Sequence, residues 1–165
     1  MYPSLCDKTL YRFIPEEPPI SLDALKSRYK ELEKAQCPDM NEVWLNWIIF
    51  LRSERAAIGY VQATVNTVTT SQIAYMVFSS FQRQGFATEA LSVLLEEIFN
   101  AFQIDSLKAL IDSRNEASIA VVSNLGFSLV DTIECADYFK GSSSDEYRFS
   151  LSRKDWKPPC YTVLA

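Results

Sequence analysis

Residues 72–90 read QIAYMVFSSFQRQGFATEA, and the change of pattern inside this stretch decides the architecture. Residues 72–78 read as a strand. Over 85–102 the pattern becomes a strongly amphipathic helix, with Phe86, Ala90, Leu94, Ile98 and Phe102 on one stripe. Gly85 permits a tight backbone approach at the junction, and the first N–H groups of a helix have no intrahelical partner. Free amides at the positive end of a helix make an anion site suited to a pyrophosphate. On this physics alone, a glycine turn that binds nothing is an equally good reading.

Outward from this junction the chain divides into two patterns. Upstream, residues 44–51 (WLNWIIFL) are large and often β-branched, and Ser53-Glu54 turns into residues 56–66, where apolar and polar residues alternate. A polar turn over 66–71 then leads into strand 72–78, completing an antiparallel meander. Earlier still, Ser21 can cap a helix that carries Asp23 in its first turn and Leu22, Leu25, Tyr29 and Leu32 at helical spacing, fading before Pro38. The first twenty residues hold Tyr2-Pro3, Pro15, Pro18 and Pro19 and read as an irregular segment. Downstream come strand 107–111, helix 115–125 closed by Gly126, and strands 127–133 and 147–151 joined through the turn Lys140-Gly141-Ser142-Ser143-Ser144. The tail after Trp156 reads as extended. The expectation is one α/β (α+β) domain over 1–165, with a mixed, mostly antiparallel sheet flanked by helices and splayed between 72–78 and 107–111.

Composition removes whole classes of function. Of 165 residues, 48% are hydrophobic and the formal net charge is −5, which excludes a disordered chain. That balance argues against a nucleic-acid or anionic-membrane surface, whose affinity needs clustered Lys and Arg. No apolar run is long enough to span a bilayer and no leader pattern opens the chain, so the reading is cytoplasmic. There is no histidine, hence no Ser-His or Cys-His pair and no imidazole base. Cys6, Cys37, Cys135 and Cys160 lie far apart without a CxxC pair, so reduced thiols and no metal are expected. Chemistry must come from carboxylates, hydroxyls, backbone amides or a cofactor.

Gln82-Arg83-Gln84-Gly85-Phe86-Ala87 resembles the Q/R-x-x-G-x-G/A acetyl-CoA signature of the GNAT acetyltransferase superfamily. Its continuation through Thr88-Glu89-Ala90-Leu91 is similar to the GYATEAL run of the ribosomal-protein alanine N-acetyltransferase branch. Asn115-Glu116-Ala117-Ser118 and Leu125-Gly126-Phe127 resemble that branch's N-x-x-S…L-G-F segment at matching spacing, and Asp155-Trp156 resembles a common ending. The likeness runs over residues 44–156.

The resemblance implies an N-acetyltransferase that moves an acetyl group from acetyl-CoA to a primary amine by direct attack in a ternary complex, without a metal. It implies that Met76 and Phe78 offer backbone groups to the pantetheine arm. Gln82, Arg83, Gln84, Gly85, Phe86, Ala87 and Thr88 would cradle the diphosphate. Asn115 would bind the pantetheine, and Ser118 would stand near the sulfur as the leaving-group donor; its other role is a hydroxyl capping the helix. Many members hold a tyrosine where this chain has Val122, and Tyr138 is the first substitute to test. Glu89, one turn into the helix, reads as a dipole complement rather than a catalytic group. The family's opening strand, T-E-R-L-x-L-R, has no counterpart before Tyr11, so the chain is either a shortened form or has an unusual first strand.

The attacking amine must be neutral. A lysine of pKa about 10.4 is neutral in roughly one molecule in a thousand at pH 7.4, a deficit of roughly 4 kcal/mol, whereas an α-amine of pKa about 7.7–8.0 loses less than about 1 kcal/mol. Strand 72–78 holds no carboxylate, and Asp131, Glu134, Asp137 and Asp145 remain open as bases. A peptide N-terminus or a less basic small-molecule amine is therefore favoured as partner, with no nucleic acid and no membrane; a homodimer is left open. A non-catalytic acyl-CoA-binding module and a scaffold of the same fold are the alternatives.

Overall fold

The alternation of residues 56–66 becomes the second strand of a six-stranded sheet in the computed structural model, which describes residues 1–33, 42–66, 68 and 70–158. Cys37, Cys160, the expected helix end before Pro38, part of the polar turn after Asn66 and the tail from residue 159 lie outside the described residues. The strands are β1 (Glu42–Leu51), β2 (Ala56–Asn66), β3 (Ser71–Val77), β4 (Ser106–Asp112), β5 (Ser128–Phe139) and β6 (Ser142–Ser152), in the order β1-β2-β3-β4-β6-β5. Neighbours are antiparallel except β3 and β4, which run parallel and meet only at Ser71 opposite Leu107 and Gln72 opposite Lys108. Beyond those positions the sheet splays, as the meander followed by helix–strand–helix–strand led one to expect.

Three longer helices flank the sheet: α2 (Leu22–Leu32), α3 (Phe86–Ala101) and α4 (Glu116–Asn124). Ser21 opens α2 as anticipated, its Oγ accepting from Ala24 N at 3.1 Å. The main core lies where α3 buries Leu91, Leu94, Leu95, Ile98 and Phe99 against Val61, Val65, Leu107 and Phe149 of the sheet. Each such buried side chain contributes about 1.5–3 kcal/mol. Arg153 finishes α3: Nε donates to Ile104 O at 2.9 Å, Nη1 donates to Phe99 O and Nη2 to Phe102 O, and the guanidinium lies over the Phe99 ring. The helix's last carbonyls are thereby satisfied by a cation that also complements the dipole.

Of the irregular segment expected over residues 1–20, residues 12–20 hold no helix or strand, but the first eleven depart from it. A short helix, α1 (Tyr2–Leu5), and a 3₁₀ turn (Lys8–Tyr11) lie within those eleven. Pro3 sits at the start of α1, where a missing N–H leaves no hydrogen bond unmade, and Asp7 accepts from Thr9 N at 2.9 Å. Leu5 and Tyr11 form a second core with Leu25, Met76 and Phe78. Strand alternation puts this core on the opposite face of the sheet from α3, since Tyr60 belongs to it and Val61 to the other.

The last hairpin is also longer than expected. Its turn is Lys140-Gly141 alone, both with positive φ (52° and 78°), and Ser142 already pairs with Phe139. Ser142, Ser143 and Ser144 are strand residues, because the polar face they present has a partner: buried Ser144 donates to Asp112 Oδ2 at 2.6 Å.

Candidate active site at the sheet splay

The gap between β3 and β4 is set by the backbone. Past Gln72, β3 keeps its pairing with β2 as far as Val77 opposite Gly59, while β4 turns away with β6. Phe78 N donates to Ile58 O at 2.8 Å, and Phe78 O accepts from Phe81 N at 2.8 Å. Met76 O also faces β2: a Cβ at Gly59 would stand 2.2 Å from it, so only glycine allows the approach. Successive residues of a strand offer their N–H and C=O to opposite sides, so Tyr75 and Val77 direct theirs into the gap. The backbone of Met76 and Phe78, expected to line it, is turned to β2 or closed within the turn. The parity is set by the unbroken β2–β3 register, in which Tyr60 stands opposite Met76 and Phe78 bonds to Ile58.

The loop from Ser79 to Gly85 leads from this edge to α3 and is pinned at several points. Ser79 Oγ donates to Asp7 Oδ2 at 2.5 Å, and those bonds hold the Asp7 carboxyl below its ordinary range. Gln82 Nε2 donates to Val77 O at 2.9 Å and Gln84 Nε2 to Ser80 O at 3.1 Å. Arg83 and Gly85 both adopt left-handed backbone (φ 61° and 88°), an uncommon choice for arginine. Gly85 caps α3 without a side-chain bond, so the amides of Phe86, Ala87 and Thr88 open the helix free. Gln82, Arg83 and Gln84 are exposed around these amides, and Glu89 lies exposed in the first turn.

The other lip is the loop from β4 into α4. Asn115 caps α4, its Oδ1 accepting from Ser118 N at 3.2 Å, which leaves Nδ2 without a partner among the described residues. Ser118 is half-buried, and its carbonyl accepts from the Tyr75 hydroxyl at 3.2 Å, tying β3 to α4 across the splay. Burial pushes the Tyr75 phenol up to about 12, so it stays a donor. The loop is held from below by Asp112, which is buried at the end of β4. Arg114 grips it through Nε at 2.9 Å and Nη2 at 2.6 Å, Arg114 N adds a bond at 2.8 Å, and Ser144 completes the set. Burial alone would raise this carboxyl, but the bonds from Arg114 and Ser144 outweigh it and lower it to about 2.

The structure therefore brings Asn115 and Ser118 to the gap with Tyr75. Val122 is fully buried in the main core and does not reach it. Asp131, Glu134 and Asp137 stand on β5, separated from the gap by β4 and β6, and Asp131 pairs with Arg148 at 3.5 Å. Asp145 Oδ1 accepts from Cys135 N at 2.9 Å. Tyr138 is 77% exposed on the same distant strand. Tyr75 and the Asp112–Arg114 pair escaped the sequence reading. Asp112 left one trace there, a lone acid ending an apolar strand. Among the described residues no three His, Cys, Asp or Glu side chains gather as a metal site would require, and no helix is long and apolar enough to cross a membrane.

Comparison with known proteins agrees with this geometry. The family model described as Acetyltransferase (GNAT) domain matches residues 1–128. The uncharacterized N-acetyltransferase p20 of Bacillus licheniformis is 26% identical over 86 residues, 52% of this chain and 48% of that protein. The uncharacterized protein YkkB of Bacillus subtilis is 35% identical over 75 residues, 46% of this chain and 44% of that protein. The chain thus spans about half the length of these relatives. Among solved structures, spermidine N-acetyltransferase from Vibrio cholerae in complex with CoA and spermine superposes with a TM-score of 0.78 at 16% identity, covering 93% of this chain and 88% of that one. Ribosomal-protein-S5-alanine acetyltransferase from Vibrio fischeri gives 0.68 at 21%, covering 94% and 90%. Mycobacterium smegmatis RimJ in complex with CoA-disulfide gives 0.75 at 21%, covering 88% and 71%. These likenesses establish the fold, and with a family model matched over most of its length the chain belongs to the GNAT acetyltransferase family.

Proposed function

We propose that the chain transfers the acetyl group of acetyl-CoA to a primary amine by direct attack within a ternary complex. One observation carries this reading: the β3–β4 gap opens beside the uncapped start of α3, with Gly85 in left-handed backbone. Those residues fit the cosubstrate. The amides of residues 84–88 would hold its diphosphate, with Gln82 and Arg83 shaping the loop. Tyr75 N–H and C=O and Val77 N–H, rather than the backbone of Met76 and Phe78, would pair with the pantetheine arm, since Val77 O is already taken by Gln82. Asn115 Nδ2 would complete that contact.

Acetyl-CoA supplies an activated acyl group as a thioester. The acceptor nitrogen forms the new C–N bond as the C–S bond breaks, and its proton passes to solvent. The Ser118 hydroxyl makes no bond within the described residues and is free to donate to the departing sulfur. The Tyr75 hydroxyl holds Ser118 in place through its carbonyl. With no carboxylate on β3 and Asp112 consumed by Arg114 and Ser144, an amine that is already largely neutral is the favoured acceptor: a peptide α-amine or a weakly basic small molecule. Action in the cytoplasm suits such a substrate.

Release of free CoA from acetyl-CoA, measured against a panel of amines at neutral pH, tests this. Peptide N-termini should turn over at least ten-fold faster than lysine side chains. Tight acetyl-CoA binding without release for any amine would instead make the chain an acyl-CoA-binding module.

A further inference from the structure

The splay is tied on one face and bridged from the other. Toward α3 the tie is the Tyr75–Ser118 bond, since Tyr75 packs on the main core and Ile119 and Val121 bring α4 to the same side. The bridge is the segment that follows Tyr11. It leaves the second core, where Tyr11 and Ile14 pack with Met76 and Phe78 at the end of β3. It then meets Lys140 at the tip of the β5–β6 hairpin. The sheet order sets the gap and β4 between those two points, so residues 14–17 cross the open end of the splay from the face opposite α3.

Lys140 holds the far end of the bridge. Its Nζ donates to Ile14 O at 2.7 Å and to Glu16 O at 3.1 Å, and stands 3.4 Å from Glu17 Oε1. Between Pro15 and Ile20 every hydrogen bond and ion pair among the described residues goes to this one ammonium. Pro15, Pro18 and Pro19 have no N–H with which to close a turn of their own. The anchor is itself fixed. Arg114 Nη1 donates to Ser142 Oγ at 3.1 Å, and Lys140 and Arg114 stand over the Phe139 ring at 5.3 and 5.8 Å. Hydrogen bonds from an ammonium are stronger than neutral ones, so a single side chain suffices as the latch.

We propose that Lys140 is a positioning residue for acceptor choice: by holding residues 14–17 across the splay it forms the outer rim of the acceptor entrance. The inference rests on acetyl transfer at the splay. With acetyl-CoA lying on the α3 side, at the start of that helix and beside Ser118, the amine has to reach the thioester from the opposite face, beneath the bridge. The free end of a slender chain can thread such an entrance, and an amine carried on a bulky first residue is turned away. The acceptor is therefore the end of a chain whose first residue is small.

Two measurements on wild type, Lys140→Met and Lys140→Arg test it. The first needs no substrate: cleavage after Glu16 by a glutamate-specific protease, followed by mass spectrometry. Lys140→Met keeps an unbranched stem and loses the ammonium, and it should be cut there at least about ten-fold faster. The second is steady-state kinetics with peptides beginning in glycine and in tryptophan. Wild type should favour glycine, and Lys140→Met should narrow that preference by about ten-fold, through KM more than kcat. Its dissociation constant for acetyl-CoA should stay within about three-fold of wild type. Lys140→Arg, which can donate to the same oxygens, should restore both protection and preference. Unchanged cleavage in Lys140→Met overturns the latch, and faster cleavage with an unchanged preference overturns its role in acceptor choice. A wild type that cleaves slowly after Glu16 but releases no CoA with any amine overturns acetyl transfer itself, and the acceptor role with it.

Discussion

The Tyr75 hydroxyl donates to the Ser118 carbonyl at 3.2 Å, joining the two lips of the splay where β3 and β4 no longer pair. A strand that has lost its neighbour is thus fixed to the helix that carries Ser118, the proposed leaving-group donor.

Tyr75→Phe keeps the ring and removes the tie. The protein should lose about 0.5–1.5 kcal/mol of stability. Its kcat should fall by roughly ten-fold, because Ser118 is no longer held in line, with the dissociation constant for acetyl-CoA changed by less than about three-fold. Denaturant melts and steady-state kinetics on the same preparation check both halves. The phenol, raised to about 12 by burial, is protonated throughout the range of an activity assay, so the tie contributes no alkaline limb to the pH profile.

Asp112 makes the protein acid-sensitive. Its carboxyl titrates at about 2 in the folded chain against an ordinary value of 3.8. A depressed carboxylate contributes stability that is complete above its unfolded pKa and is lost as the pH falls through the folded one. The contribution is on the order of 2 kcal/mol and should vanish between about pH 4 and pH 2. Asp112→Asn should therefore melt well below wild type at pH 6, and the difference should narrow as the pH is lowered across that window. Parallel curves would show that Arg114 and Ser144 do not act on a charged carboxylate.

Gly85 bears two separate costs on substitution. Its φ of 88° strains any branched residue, yet a Cβ there touches no protein atom within 4 Å. Gly85→Val should fold with a lower melting temperature and bind CoA more than ten-fold more weakly, about 1.4 kcal/mol or more. Gly85→Asn tolerates left-handed backbone. It should recover most of the stability while still placing a side chain beside the amides, so calorimetry with CoA separates strain from blockage.

Much of this was legible in residues 72–90 and in the alternation of 56–66, because those patterns are local and each element's burial agrees with its period. What stayed hidden depends on contacts far apart in the chain. Ser142 to Ser144 resemble a turn until Asp112, some thirty residues earlier, is seen to accept from Ser144. Pro3 reads as a breaker until α1 is seen to begin at it. The choice of Tyr75 and Val77 over Met76 and Phe78 hangs on the register with the neighbouring strand, which sets Tyr60 opposite Met76. No periodicity within β3 reveals the parity imposed by β2. Tyr75 was visible only as a strand aromatic, since its partner is a backbone carbonyl and leaves no side-chain signature.

The most direct test of transfer at the splay is steady-state kinetics of wild type and Ser118→Ala with a peptide α-amine, alongside their acetyl-CoA dissociation constants. Losing a well-aligned donor to developing charge costs about 10²–10³-fold, and a thiolate, already a good leaving group, should show the low end, about ten- to a hundred-fold in kcat. The account predicts that wild type releases one CoA per acetylated amine, and that Ser118→Ala slows this while binding acetyl-CoA within a few-fold of wild type. Turnover at the wild-type rate in Ser118→Ala, or acetyl-CoA binding with no CoA release in wild type, would contradict it.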